Sequence, residues 1–465
     1  MTIKPCSTLV LGNSTVSPQF GWCTEHSKLL VSSLLNPLTI HHPGNVTYPL
    51  VTIWFNISLY LIIATGHLLN TIFRAVDDLS EFCQSLYEDV ILIGLLIGVL
   101  LYRWRVDCIA SIIHFMDTCF MTTDARILIQ CHRKALATFF MFVWLFSTIS
   151  TWMLFESLRP MSENEVKLRL ELYGTEHPRR RLPMNMWIPG LDETESWTYE
   201  LLFMTQVYIS TPYMLLSYVC SIALIPMMAI HIDGQIKILC KYIKMLGHRH
   251  KDSKGNEIFY TNIEKNEFVL ASDTLNEYSV AAIASTSYET LRGNISRKEL
   301  KKLKAYERAF FKQLVRFHQK MLAFTNKTLT DISPLVLFVV VTNYFVFSLG
   351  LYQLTAYNDL QSKFQLFKFV SELTLAVIQF YMFCYSAELL DDCQARIRTS
   401  LYSSRWYACS RATRQDMCMI LRRLRKENHP KFYQGVLVLC NAVFVRLVRV
   451  SYNVVNLIKF KDSLG

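Results

Sequence analysis

The sequence predicts an all-α integral membrane protein of seven transmembrane helices, with the N-terminus cytoplasmic, the C-terminus extracellular and a cytoplasmic helical anchor. Three observations predict it. The 465 residues are 52% hydrophobic and only 18% charged, which fits lipid better than a set of soluble domains. The apolar residues gather into runs of roughly 18 to 25, each able to cross about 30 Å of hydrocarbon as a helix. The cations are distributed unevenly between alternate loops.

Apolar length places the spans at Val51–Leu69, Asp89–Tyr102, Ala135–Phe155, Leu201–Ile230, Pro334–Leu354, Leu366–Leu390 and Gly435–Ile458. The second is short, which leaves six spans and a buried segment as the alternative. The N-terminal segment, Arg103–Lys134, His231–Ser333 and Asp391–Gln434 together hold about 35 Lys and Arg, against about 10 in the other loops and the tail. Basic loops stay cytoplasmic, so these four segments are expected inside. That placement accounts for the net charge of +11 without nucleic acid as a partner. The chain opens without a cationic start, apolar core and small-residue cleavage site, so no cleaved signal peptide is expected. The organisation expected is 1–48 cytoplasmic, 49–231 spans one to four, 232–333 cytoplasmic, 334–390 spans five and six, 391–432 cytoplasmic anchor, 433–460 the last span, and 461–465 outside.

Cysteine usage agrees with that layout. Of 13 Cys only Cys83 falls in an expected external loop, so no disulfide framework can be built. The sequons at Asn13, Asn45, Asn56, Asn294 and Asn326 likewise avoid the expected external loops.

The cytoplasmic segments have patterns of their own. Asp233–His248 continues the fourth span with Ile236, Leu239, Ile243 and Leu246 among lysines, and Arg297–Lys327 carries Leu300, Leu303, Phe310, Phe311, Leu314 and Phe317. Both are expected to be helical extensions of spans four and five. His250–Tyr288 is polar and aperiodic, which predicts a mobile loop. The pair His248 and His250 suggests metal only weakly against a solvated basic loop. After the sixth span, Ile397, Leu401, Trp406, Met417, Ile420, Leu421 and Leu424 recur at helical spacing. They predict a cytoplasmic helix returning to the membrane, broken at Pro430, with an apolar stripe for a partner helix or for anionic lipid.

No Gly-rich phosphate loop, His-Glu-x-x-His, Cys-x-x-Cys or Gly-x-Ser-x-Gly occurs, so no enzyme, cofactor or metal is expected. A G-protein-coupled receptor would have the opposite orientation, an acidic-Arg-Tyr motif below span three and Asn-Pro-x-x-Tyr in span seven; neither motif is present. A secondary transporter is the second reading, but no internal repeat is visible and the long insertion between spans four and five breaks any three-plus-three symmetry.

Depth assigns candidate ligand contacts to the outer halves of spans two, three, four and six. Phe146, Ser150 and Met153 share one face of span three, and Met204, Tyr208 and Thr211 repeat that spacing in span four; Val377, Phe380 and Tyr381 form the set on span six. Ser150, Tyr208 and Tyr381 stand out because a hydroxyl at lipid depth needs a partner. Arg446 and Arg449 lie mid-span on one face of span seven and need water or a counter-charge, for which Glu372 is the nearest in depth.

Ser386-Ala-Glu-Leu-Leu-Asp-Asp-Cys-Gln-Ala-Arg-Ile-Arg-Thr-Ser-Leu-Tyr402-Ser-Ser-Arg-Trp406-Tyr, then a basic helix, Lys431-Phe432 and a last span bearing Ser451-Tyr452, resembles the C-terminal third of insect odorant receptors. The motif likeness covers about residues 386–460. It implies a tuning subunit that binds an apolar volatile and assembles with a shared co-receptor in a heterotetrameric, odorant-gated, non-selective cation channel of the olfactory sensory neuron's plasma membrane. It also implies a central pore lined by the seventh helices, with Ser451, Val455, Ile458 and Lys459 facing it, and a subunit anchor including Tyr402, Trp406, Ile420 and Leu424. The gustatory branch fits less well, because Ser451-Tyr452 and Lys459-Phe460 stand where it carries Thr-Tyr and Gln-Phe. The co-receptor pattern is also missed, since Asn453, Asn456 and Lys459 interrupt it, and Lys459 speaks against a homomeric cation pore.

Overall fold

The computed structural model describes residues 47–161, 163–252, 254–270, 297–356, 363–425, 431–432 and 437–462. The expected N-terminal segment to residue 46, the break at Pro430 and the tail beyond 462 lie outside the described residues. The chain is mostly helical. Its helices are α1 Thr47–Phe73, α2 Leu79–Trp104, α3 Val106–Thr118, α4 Ala125–Leu158, α5 Glu163–Tyr173, α6 Ser196–Met204, α7 Thr211–Lys244, α8 Arg297–Ala356, α9 Lys363–Tyr402, α10 Arg411–Leu424 and α11 Asn441–Asp462. A π-helical turn over Thr205–Ser210 joins α6 to α7.

Among the described residues, five segments are long and apolar enough to cross a membrane: Glu81–Leu101, Ala125–Leu158, Ile222–Lys244, Lys301–Thr355 and Leu366–Tyr402. α1 and α11 overlie the first and last expected spans, but the apolar part described in α1, Ile57–Phe73, is shorter, and α11 carries Arg446, Arg449 and Lys459. The second span is longer than its sequence pattern suggests. Asp78 caps α2 by accepting from the Glu81 N–H (2.9 Å), so the helix begins nearly three turns before Asp89 and takes in Cys83, which is buried rather than in a loop.

Helix α7 is apolar on all sides from Ile222 to Ile230 and almost wholly buried from Ile222 onward, packed between α4 and α9. α8 packs on α2, α9 and α11, and α1 lies against α2. At 60 residues α8 is about 90 Å long, and α9 at 40 residues about 60 Å, so both extend well past a hydrocarbon layer of about 30 Å. Beyond it their ends form a compact body with α10 and the end of α7. Asp233 of α7, buried, pairs with Arg396 of α9 and with Lys237 (2.6 Å). Gln235 grips the backbone of Met121 from both sides, accepting from its N–H (2.7 Å) and donating to its carbonyl (3.0 Å).

Two sequence expectations are corrected here. The stretch read as aperiodic and mobile from His250 contains an antiparallel hairpin, β1 Ile258–Asn262 with β2 Glu267–Leu270. Its strands are too short to register as periodicity, and its stability comes from outside: Tyr306 of α8 accepts from the Tyr260 N–H (3.0 Å), Gln313 accepts from the Ile263 N–H (3.0 Å), and Lys320 pairs with Glu264 (2.8 Å). Residues 271–288 of that stretch lie outside the described residues. His250, set aside as a metal candidate, bonds the Tyr306 hydroxyl at 2.6 Å and the Met245 carbonyl at 3.2 Å.

The second correction concerns the anchor. The stripe from Ile397 to Leu424 is not one returning helix: α9 ends at Tyr402, a 3₁₀ turn covers Trp406–Ala408, and α10 restarts at a cap where Ser410 accepts from the Thr413 N–H. The turn is fixed by Gly247, which has φ +75° and sits so close to the Arg405 carbonyl that a Cβ would lie 2.2 Å from it. Ile397, Leu401, Met417 and Leu424 are thereby buried within the chain itself, leaving Tyr402, Trp406, Tyr407 and Met419 exposed and Ile420 half-buried.

Burial among Tyr306, Tyr260 and Phe310 pushes the His250 imidazole down to about 4. A free imidazole takes up its proton near pH 6.5. Stability is therefore full above that pH, falls as pH drops because the unfolded chain takes the proton first, and levels off below about 4, lower by about 3 kcal/mol. Thermal melts of the solubilised protein between about pH 7 and about pH 5 are expected to show this loss, and His250→Gln to flatten it.

Candidate functional site

At the end of the bundle that carries the connection between α4 and α6, charged side chains project into helix interiors that are otherwise apolar. His67 of α1, fully buried, places Nδ1 2.7 Å from Asp89 and Nε2 3.0 Å from Glu88, both on α2. Lys368 of α9, 3% exposed, donates to the other oxygen of Glu88 at 2.6 Å. Three helices are thus tied through one carboxylate. One turn further along α9, Glu372 is buried with Lys368, Glu88 and the Tyr87 hydroxyl as neighbours.

The connecting segment closes this end. Arg181 donates to the buried Glu156 of α4 (2.7 Å), Tyr173 donates to Glu81 of α2 (2.9 Å), and Arg74, just past the end of α1, pairs with Glu193 while lying over the Trp187 ring. The Trp187 N–H donates to the Gly66 carbonyl of α1 at 2.9 Å. Gln206, in the π-helical turn, accepts from the Met184 N–H (3.0 Å) and donates to its carbonyl (3.1 Å), pinning that residue. An arginine of α5, Arg169, is held so deeply that desolvation lowers its guanidinium to about 10.

Beneath the network lies a cavity of ≈130 Å³, bounded by α2, α4, α8 and α9 and closed by Met184. Its walls are apolar: Ile91, Leu92 and Leu95 of α2, Phe146, Ile149 and Met153 of α4, Phe338, Val339 and Val346 of α8, and Leu375 and Ala376 of α9. The polar groups are few, namely Tyr87, Glu88, Thr342, Asn343, Glu372 and Gln379. Asn343 donates to the Val339 carbonyl of its own helix (2.7 Å), and Glu88 has both oxygens engaged by His67 and Lys368. Gly94 matters to the volume, because a Cβ there would meet Thr342 Cγ2 at 3.1 Å. An apolar cavity with a few convergent polar groups is what a small-molecule site requires, and an apolar cavity of about 150 Å³ accepts benzene.

Of the residues singled out from the sequence, Phe146 and Met153 line the cavity. Ser150, between them on α4, is half-buried and does not. Met204 is exposed, and the side chains of Tyr208 and Thr211 lie outside the described residues. On α9 the expected set is off by one to two positions: Val377 packs in the core, Phe380 stacks on Phe444 at 6.3 Å, and Tyr381 is exposed with its edge on Phe444, while Glu372, Leu375, Ala376 and Gln379 face the cavity. Span two was expected to contribute its outer half, as α2 does, but none of its residues was singled out, and the wall from α8 was not expected. The one signal for the α2 wall was a cluster of charges, Glu88, Asp89, Lys368 and Glu372, at the start of two apolar runs.

Span seven is corrected as well. Glu372 does not face Arg446 or Arg449; it sits among Lys368, Glu88 and Tyr87, and both arginines are exposed with no ion-pair partner among the described residues. Ser451 is fully buried, and Val455 packs inward on Cys83 and Tyr352, so neither lies on the open face, which carries Arg449, Tyr452, Asn453 and Asn456. The side chains of Ile458 and Lys459 lie outside the described residues.

These features are those of a polytopic helical membrane protein with an internal, largely apolar cavity. The model of the 7tm odorant receptor family matches residues 78–452, and the chain belongs to that family. Odorant receptor 82a of Drosophila melanogaster is 23% identical over 172 residues, a stretch covering 37% of this chain and 44% of that receptor. In fold the chain is similar to the insect olfactory receptor OR5 from Machilis hrabei, with a TM-score of 0.66 at 10% identity over 95% of this chain and 99% of that one. The structure of the same receptor in complex with eugenol gives a TM-score of 0.64 at 11% identity, covering 94% and 98%.

Removing one member of a buried ion pair strands the other at a cost of about 3–5 kcal/mol. Lys368→Met is therefore expected to lower the thermal stability and surface yield of the receptor sharply. Adding Glu88→Gln, which leaves His67 with Asp89, is expected to recover most of the loss, as read by fluorescence-detected chromatography of the solubilised protein.

Proposed function

We propose that this chain is the odorant-binding, tuning subunit of a ligand-gated, non-selective cation channel, assembled with an odorant co-receptor in a heterotetramer of the olfactory neuron's plasma membrane. The observation that carries the reading is the apolar cavity between α2, α4, α8 and α9, too small for a peptide and matched to a single-ring volatile. Family membership and the eugenol complex of OR5 support a small volatile as ligand. With the basic loops cytoplasmic, the N-terminus is inside and the cavity lies in the extracellular half, open to odorants from that side. Odorant contacts are assigned to Phe146 and Met153 with Ile91, Leu95, Phe338 and Val339.

The exposed face of α11 supports an intersubunit role. Arg446, Arg449, Tyr452, Asn453 and Asn456 project from a helix whose opposite face is packed on α8 and α9, and charges at that depth need water. The assigned pore face is Arg449, Asn453 and Asn456, with co-receptor helices supplying the rest of the wall. At the cytoplasmic end, Tyr402, Trp406 and Tyr407 form an exposed aromatic group that fits the subunit anchor.

Whole-cell current in cells expressing this chain, the co-receptor or both tests the reading: odorant-evoked current is expected only from the pair. Gly94→Val, which fills space against Thr342, is expected to shift sensitivity about tenfold from ring-sized to smaller odorants. Silence of a surface-labelled pair across a broad volatile panel defeats the proposal. A cysteine placed at Asn456 is expected to react with a charged methanethiosulfonate and reduce current, whereas one at the inward Val455 stays unreactive.

A further inference from the structure

Most polar atoms at the cavity's upper wall are spoken for. His67 is held by Asp89 and Glu88, and Lys368 and His67 together take both oxygens of Glu88. Arg181 is engaged with Glu156. Glu372 differs. It lines the cavity, is 8% exposed, and its Oε2 has no hydrogen-bond partner among the described residues. A carboxylate offers about four acceptor sites, and the donors beside this one are the single hydroxyl of Tyr87 and a lysine whose nitrogen lies 2.6 Å from Glu88.

Charge counting sharpens the point. Around the cavity's upper end stand three acids, Glu88, Asp89 and Glu372, against two bases, His67 and Lys368. Even with His67 as the imidazolium that its two carboxylate contacts suit, one negative charge is left over, and the acid not matched is the one that faces the cavity. Glu372 shares its one neighbouring cation, Lys368, with Glu88, and a buried carboxylate short of counter-charge is costly. A ligand that brings both an N–H donor and a positive charge satisfies it, and the rest of the wall asks only for an apolar body.

Resting on the reading of this cavity as the odorant site, we infer that the receptor's ligands include small apolar amines, seated with the ammonium on Glu372 and the hydrocarbon ring among Phe146, Met153 and Val339. Gln379, also on the wall, lies two turns further along α9 and is not the acceptor in this assignment.

The test uses one skeleton with four headgroups: benzylamine, benzyl alcohol, benzaldehyde and toluene, applied to cells expressing the chain with the co-receptor. Benzylamine is expected to be at least about tenfold more potent than toluene, with the alcohol between and the aldehyde, which cannot donate, no better than the hydrocarbon. Glu372→Gln is expected to collapse the benzylamine-to-toluene potency ratio towards one. If Glu372→Gln fails to reach the surface, the wild-type ranking decides alone. Aldehyde or toluene matching the amine overturns the assignment while leaving the channel reading standing, as does an unchanged ratio in Glu372→Gln. Silence to all four and to a broader volatile panel, with both chains labelled at the surface, defeats the channel reading and the amine assignment with it.

Discussion

Lys368 sits where a lone ammonium is not tolerated, and the arrangement around it follows from that constraint. Its nitrogen reaches Glu88 on α2, and Glu88 in turn reaches His67 on α1, so one carboxylate sets the relative rotation of three helices. Apolar packing alone would not do this, because lipid competes with side chains for apolar faces and gives little directional preference. Hydrogen-bonded charges in a low dielectric are directional, and stranding any one of them is expensive. The cavity lies next to this tie between α2 and α9, with Phe146, Ile149 and Met153 of α4 and the wall of α8 at its sides.

The same device recurs at the boundary between the bundle and its connecting segments, in milder form. Gln206 and Gln235 each grip both backbone groups of a methionine, Met184 at one end of the bundle and Met121 at the other. Buried backbone polar groups must be satisfied, and a side-chain amide has one donor side and one acceptor side to do it. Met184 so fixed becomes part of the cavity wall rather than a residue on a loose loop. At the opposite end, the fold of α7, α9 and α10 around Gly247 turns a sequence stripe that reads as a docking surface into interior packing.

The cavity and the exposed face of α11 are separate features of the bundle. The cavity touches α2, α4, α8 and α9, and α11 packs on two of these, α8 and α9, without touching the cavity itself. Ligand-driven rearrangement of α8 or α9 therefore has a direct physical route to α11 through contacts such as Phe380 on Phe444.

That the chain is a helical membrane protein was legible residue by residue, because the length of an apolar run and the asymmetry of cations are local properties that lipid reads directly. The sequence also carried the long helical extensions of α7 and α8 beyond the apolar spans and the family likeness of residues 386–460, which depend on spacing along a single helix. The tertiary structure alone decided what faces what. Phe146 and Met153 were legible as one helix face, yet the α9 wall was misjudged by a residue or two, since each position turns a side chain by about 100° and only the neighbouring helix fixes which direction is inward. Glu372 was visible as a buried charge, but its partners lie on α2 and its own helix rather than on α11, and no sequence spacing encodes a contact between residues 88 and 368. The hairpin from Ile258 to Leu270 was illegible for the same reason: its short strands are held by Tyr306, Gln313 and Lys320, roughly fifty residues away in sequence.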